Sequence, residues 1–152
     1  MDDNEYMKIA YEEAEKANIR GEYPVGAVIV NADGLLAKAG NTVFREYDPT
    51  AHAEVLVIRE ACKKLQRITL EDCILYTTLY PCPICESSIL EAGIKKVIYG
   101  ATTFDWLRDV KFDKSKLEYK GPIMEEKCRG IFVSRLKEKG RTDILEYKKG
   151  WE

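Results

Sequence analysis

The sequence predicts a three-layer α/β/α domain around a five-stranded mixed sheet, and three observations predict it. A helical apolar period opens the chain, a β-branched run folded back on a turn signal follows, and short apolar strands then alternate with helical stretches. The 152 residues, 45% hydrophobic and 33% charged, are enough to bury one full core, so a single domain over residues 1–152 is expected.

Residues 4–20 carry Ile9, Ala10, Ala14 and Ala17 among charges, a helical spacing that ends near Asn18 and Gly21. Pro24 then introduces the run Val25-Gly26-Ala27-Val28-Ile29-Val30, which Asn31-Ala32-Asp33-Gly34 stops before Leu35 to Ala39 return, the pattern of a β-hairpin. Asp48-Pro49-Thr50 reads as a helix start, and Val55, Ile58, Ala61, Cys62 and Leu65 keep one apolar face as far as Gln66. The second helix is thus expected to begin at His52 or just before it. Cys73 to Thr78 reads as a buried strand, Pro81 as the opening of a helix to about Ala92, and Lys96 to Gly100 as another strand. The pattern loosens over residues 102–122 until Met124, Cys128, Ile131, Phe132 and Leu136 recur at helical spacing up to Gly140.

The bulk chemistry narrows the function classes. The start Met1-Asp2-Asp3-Asn4-Glu5 is acidic and lacks the basic flank and apolar stretch of a secretory signal, and no segment reaches membrane-spanning length, so a cytoplasmic protein is expected. A formal charge of -2 gives the whole protein no general attraction for a polyanion, which weighs against a nucleic-acid partner. Five cysteines without an export signal argue for thiols or metal ligands and against a disulfide framework. Of these, Cys62, Cys73 and Cys128 fall within apolar patterns and read as small buried hydrophobes.

Two motifs carry chemistry, each placed at the first turn of an expected helix: His52-Ala53-Glu54 and Pro81-Cys82-Pro83-Ile84-Cys85. Together they complete the H-x-E…P-C-x-x-C pattern of zinc deaminases. Cys82 and Cys85 point the same way on a helix and can grip one ion, with His52, the only histidine, as third ligand. Three protein ligands leave the fourth position of Zn²⁺ to a water whose pKa falls toward about 7. Glu54, two residues from His52, is poorly placed as a co-ligand but suited to carry protons between water, ring nitrogen and departing amine. C-x-x-C alone also serves redox and structural zinc sites, and a closed site would need a fourth ligand from Cys62, Cys73 or Cys128.

At these residues the chain resembles the cytidine-deaminase-like superfamily, in the branch of guanine deaminases, fungal-type cytosine deaminases and tRNA adenosine deaminases. The likeness runs from about Tyr6 to Ala101 and is most specific at Asn41 and at Asp48 through Val55. The block from Asp72 through Cys85 is most similar to guanine deaminases. The resemblance implies Asn41 and Asp105 as residues that bind the base, with Ala53 in the matched block beside the catalytic Glu54; Asp105 could equally cap a local turn, and Phe104 is a candidate to stack on the base. Trp106, Tyr147 and Trp151 are further candidates to stack on it. There are departures: Ser87-Ser88 stand where relatives place Gly-Ala, Tyr80 replaces an acidic residue, and Gly93-Ile94 looks like the cytosine branch. The His-Ser-Arg of tRNA adenosine deaminases is missing. The resulting expectation is hydrolytic deamination of a free nucleobase, guanine to xanthine first and cytosine to uracil next. A tRNA wobble adenosine and a non-catalytic zinc-stabilised domain follow as alternatives. A homodimer is implied as well.

Overall fold

The computed structural model describes residues 1–102 and 114–140. Helix α1 (Asp3–Ile19) begins with a capping box, Glu5 N–H donating to Asp2 Oδ1 at 2.9 Å and Asp2 N–H to Glu5 Oε2 at 2.7 Å. Its buried stripe is Met7, Ala10, Ala14 and Ala17, so Met7, and not the expected Ile9, fills the fourth inward position. The alanines are small because β1 (Gly26–Asn31) lies directly beneath them. A Cβ on Gly26 would sit 1.9 Å from the Ala10 carbonyl oxygen, which leaves room only for hydrogen.

β1 pairs antiparallel with β2 (Gly34–Gly40) through the turn Ala32-Asp33, and antiparallel with β3 (Ile74–Leu79) on its other side. β3, β4 (Lys96–Ala101) and β5 (Glu118–Lys120) run parallel, giving the order β2-β1-β3-β4-β5 and the expected five-stranded mixed sheet. Helices α1 and α5 (Glu125–Glu138) cover one face of the sheet, and α3 (Ala53–Leu65) and α4 (Pro83–Glu91) cover the other. Among the described residues no helix is long and apolar enough to cross a membrane.

The structure departs from the sequence reading in four places. A one-turn helix, α2 (Val43–Glu46), buries none of its residues and so leaves no periodic signal. The fifth strand is only three residues long and has two exposed positions, so alternation cannot reveal it. Asp48 does not cap α3: its Oδ1 accepts from Thr50 N–H (2.8 Å) and Thr50 Oγ1 (2.7 Å), an Asx turn that competes with capping, although the helix still begins where expected, with His52 as N-cap. Pro83, and not Pro81, opens α4, because Cys82 takes the extended N-cap conformation and leaves the donor-free first helical position to the next proline.

Across the sheet edge, Tyr76 donates its hydroxyl to Asp3 Oδ1 at 2.6 Å and Lys120 donates to Asp3 Oδ2 at 2.5 Å, tying α1 to β3 and β5. These two partners, Lys120 foremost, hold the Asp3 carboxyl below its ordinary value of 3.8. A depressed carboxylate stabilises the fold above the unfolded-state pKa and stops doing so as pH falls through the folded one. Asp3→Asn is therefore expected to cost on the order of 1 kcal/mol at neutral pH, solvent screening included. The cost should shrink well below pH 3.8. Thermal melts of both proteins at the two pH values check this, and an undiminished difference in acid would refute it.

Candidate metal centre and active site

The site forms where two helix amino ends meet on the same face of the sheet. His52 is the N-cap of α3, with extended backbone (φ -73°, ψ 149°), and Cys82 is the N-cap of α4 (φ -71°, ψ 171°), so neither helix carries a side-chain cap there. Both amino ends direct partial positive charge at the donors, which favours thiolate over thiol. Cys85, in the first turn of α4, is fully buried.

His52 Nδ1 lies 3.5 Å from Cys82 Sγ and 3.4 Å from Cys85 Sγ, and the two sulfurs are 3.6 Å apart. Bonds of about 2.3 Å to sulfur and about 2.0 Å to nitrogen set donor-to-donor edges of roughly 3.5 to 3.8 Å in a tetrahedral zinc site. The three donors thus fit zinc in both chemistry and spacing. Among the described residues the cluster contains these three donors and no fourth. Cys73 and Cys128 are buried as expected, with burial first among the causes that push their thiols up to about 11 and about 12, and Cys62 is half-buried.

The electrostatics without metal are those of a shared proton. A hydrogen bond from Cys85, followed by one from His52, brings the Cys82 thiol down to about 4. The same pairing and its burial hold the Cys85 thiol well above its usual value, and the bond to Cys82 raises His52. Metal binding must displace these protons. Glu54, in the first turn of α3 and 4% exposed, is pushed up to about 7, by burial first and by the charge of Cys82 second. Its Oε1 is buried with no hydrogen-bond partner among the described residues, so a carboxylate oxygen is held beside the metal donors with capacity to spare.

Asn41 follows the end of β2, 5% exposed, with its Oδ1 accepting from Val43 N–H at 3.0 Å. Since that backbone group can only donate, the amide orientation is fixed and the Nδ2 hydrogens are left to face elsewhere. Thr42 N–H donates to the Ala51 carbonyl at 3.1 Å, which closes the loop from Asn41 back to the residue before His52. Ala53 is buried as the first residue of α3. Asp105 and Phe104, with Trp106, Tyr147 and Trp151, lie outside the described residues.

The departures noted in the sequence fall as follows. Tyr80 turns toward the β4–β5 side, stacked on Tyr119 at 4.3 Å and edge-on to Tyr99 at 5.2 Å. Ser88 donates its hydroxyl to the Ile84 carbonyl within α4 (2.9 Å), and Ser87 is exposed. Sequence reasoning passed over two buried carboxylates, Glu22 at 1% and Glu86 at 4% exposure.

The fold and this donor set define a zinc-dependent deaminase. Residues 1–101 match the cytidine and deoxycytidylate deaminase zinc-binding region, and the chain belongs to that family. It is 38% identical over 145 residues to the tRNA-specific adenosine deaminase of Bacillus subtilis, covering 90% of this chain and 89% of that protein. It is 47% identical over 103 residues to the guanine deaminase of the same organism, covering 68% of this chain and 64% of that one. A solved structure from a study of A-to-I editing by tRNA:A34 deaminases superposes with a TM-score of 0.77 at 32% identity, over 84% of this chain and 98% of the other.

Proposed function

We propose that this protein hydrolyses the exocyclic amine of adenosine at the wobble position of a tRNA, releasing ammonia. The observation that carries this reading is the extent of the likeness to a tRNA-specific adenosine deaminase, which takes in 90% of the chain at 38% identity. The loop that carries Asn41 supports it. Tyr47 is 95% exposed close to the exposed Arg45, so a ring and a guanidinium are available to bases flanking an extruded nucleotide. Whole-chain charge weighed against nucleic acid in the sequence, but a net charge averages over a surface and does not report one loop.

In this reading His52, Cys82 and Cys85 hold zinc, which when bound supplies an acidified water with a pKa near about 7. Glu54 takes one proton from the attacking water and delivers it to the ring nitrogen, then takes the second from the hydroxyl now on the ring carbon and passes it to the leaving nitrogen, so a C–O bond replaces the C–N bond and ammonia departs. Asn41 offers its amide hydrogens to an acceptor on the base, and Ala53 packs beside it. Single domain organisation over residues 1–152 is part of the proposal.

Free guanine is the second reading, favoured by 47% identity over 103 residues to a guanine deaminase. There Asp105 would accept from the N–H groups of guanine and Phe104 would stack on the ring. The two readings separate by measuring ammonia release from an anticodon stem-loop, guanine, cytosine and adenine, with the Glu54→Gln protein as blank. Turnover of the stem-loop is expected; turnover of guanine with a silent stem-loop would replace the first reading by the second.

A further inference from the structure

The last turn of α1 grips the loop that carries Asn41 at two points. Gly21, at φ +85°, ends the helix in a Schellman motif in which Glu22 N–H donates to the Ala17 carbonyl (2.9 Å) and Gly21 N–H to that of Asn18 (3.1 Å). This geometry turns Glu22 inward. Its carboxylate accepts from Phe44 N–H at 2.8 and 3.2 Å and from Arg45 N–H at 3.3 and 3.4 Å. Two residues earlier, Arg20 Nη2 donates to the Asn41 carbonyl at 3.4 Å. The loop can come this close because Gly40 has no side chain: a Cβ there would lie 2.6 Å from the Glu13 carbonyl oxygen and 3.2 Å from Arg20 Nη2.

Burying a carboxylate is unfavourable unless its oxygens are hydrogen-bonded, so a group placed only to fill space would be apolar. Every hydrogen bond resolved for the Glu22 carboxylate goes to one segment, the first turn of α2. That turn has little stability of its own. A four-residue helix cannot nucleate unaided, and its N-cap, Thr42, makes no side-chain capping bond. Its first three amides instead find Asn41 Oδ1 and the Glu22 carboxylate. Asn41 and Glu22 therefore share one short turn, with Asn41 on the side proposed to meet the base.

We infer that Glu22 is a positioning residue for substrate recognition, holding Asn41 in register with the base by anchoring the amides of Phe44 and Arg45. The inference rests on the reading of Asn41 as a base-binding residue. Glutamine at position 22 keeps the volume but turns one acceptor into a donor facing two N–H groups. The loop then loosens while the zinc donors, on α3 and α4, stay where they are.

The test is a double-mutant cycle of Glu22→Gln with Asn41→Ala in zinc-loaded protein, on whichever base the wild type turns over. Glu22→Gln is expected to keep wild-type zinc content, raise KM about tenfold and change kcat less than about threefold. In the Asn41→Ala background the same substitution should change kcat/KM less than about twofold. A substrate-free readout accompanies it: hydrogen exchange at the Phe44 and Arg45 amides should speed up by about tenfold or more. Should Glu22→Gln fail to fold, Glu22→Asp, which keeps the charge and shortens the reach, carries the same comparison. A full effect of Asn41→Ala beside a silent Glu22→Gln overturns the inference and leaves the base-binding reading standing. A silent Asn41→Ala removes that reading and the inference together, and additive effects or unchanged exchange overturn the inference alone.

Discussion

Glu54→Gln is expected to bind zinc as the wild type does and to lose turnover by about 10²- to 10⁴-fold or more. The substitution changes almost nothing but proton affinity. The side chain is 4% exposed, and glutamine fills the same volume. What glutamine cannot do is accept a proton from water and hand it to a leaving nitrogen. In the metal-free wild type, burial raises this carboxyl to about 7, the direction that suits a group which must take up a proton as well as release one. A structural zinc site has no use for such a group, and under that alternative the substitution would be silent. Residual activity within tenfold of wild type would sink the assignment.

The same variant should show the energetic cost of the arrangement in metal-free protein. A carboxyl whose folded-state pKa is raised from 4.5 to about 7 holds its proton more tightly when folded than when unfolded. Folding stability then falls as pH rises across that window and stays low above it. Removing the titration should make metal-free Glu54→Gln more stable than metal-free wild type above pH 7, by about 3 kcal/mol, with no difference below pH 4.5. Urea melts at the two pH values measure it. A carboxylate kept at such a cost is the usual mark of a working group.

What the sequence showed of this molecule depended on how local each signal was. The alanine stripe of α1, the runs of β1 and β3 and the period of α5 are patterns within one element, and each appears where expected. The metal donors were legible for the same reason: Cys82 and Cys85 are fixed by spacing on one turn, and His52 was the only histidine available. Glu22 was not legible, because its partners Phe44 and Arg45 lie more than twenty residues away and no pattern around it says that a carboxylate will be buried. α2 and β5 are too short to hold a period. Asp48-Pro49-Thr50 marked the right place for α3 but not the right contact, because the residues that cap a helix also close an Asx turn, and local sequence does not say which wins.

Chelating the metal is expected to abolish turnover without unfolding the chain, and this separates a catalytic centre from a zinc-stabilised fold. In a small zinc domain the ion substitutes for a core, and binding and folding are one event. Here the core is a five-stranded sheet covered on both faces, and its buried residues, from Met7 and Val28 through Leu75 and Ile98 to Leu136, form a cluster that needs no metal to close. Circular dichroism of chelated protein should therefore keep its helical signal. Zinc still stabilises whatever state it binds. At about a thousandfold excess over Kd it adds about 4 kcal/mol, which for a chain of this size lifts Tm by roughly 8 to 16 °C. Zinc retention should also weaken in acid, since the ion must compete for the protons held by Cys85 and His52. Readding zinc to chelated wild type should restore turnover, whereas Cys85→Ala should stay inactive at any zinc concentration, because two donors cannot build the three-ligand site. Loss of the helical signal on chelation would mean that His52, Cys82 and Cys85 serve the fold, and the deaminase mechanism would then need another home.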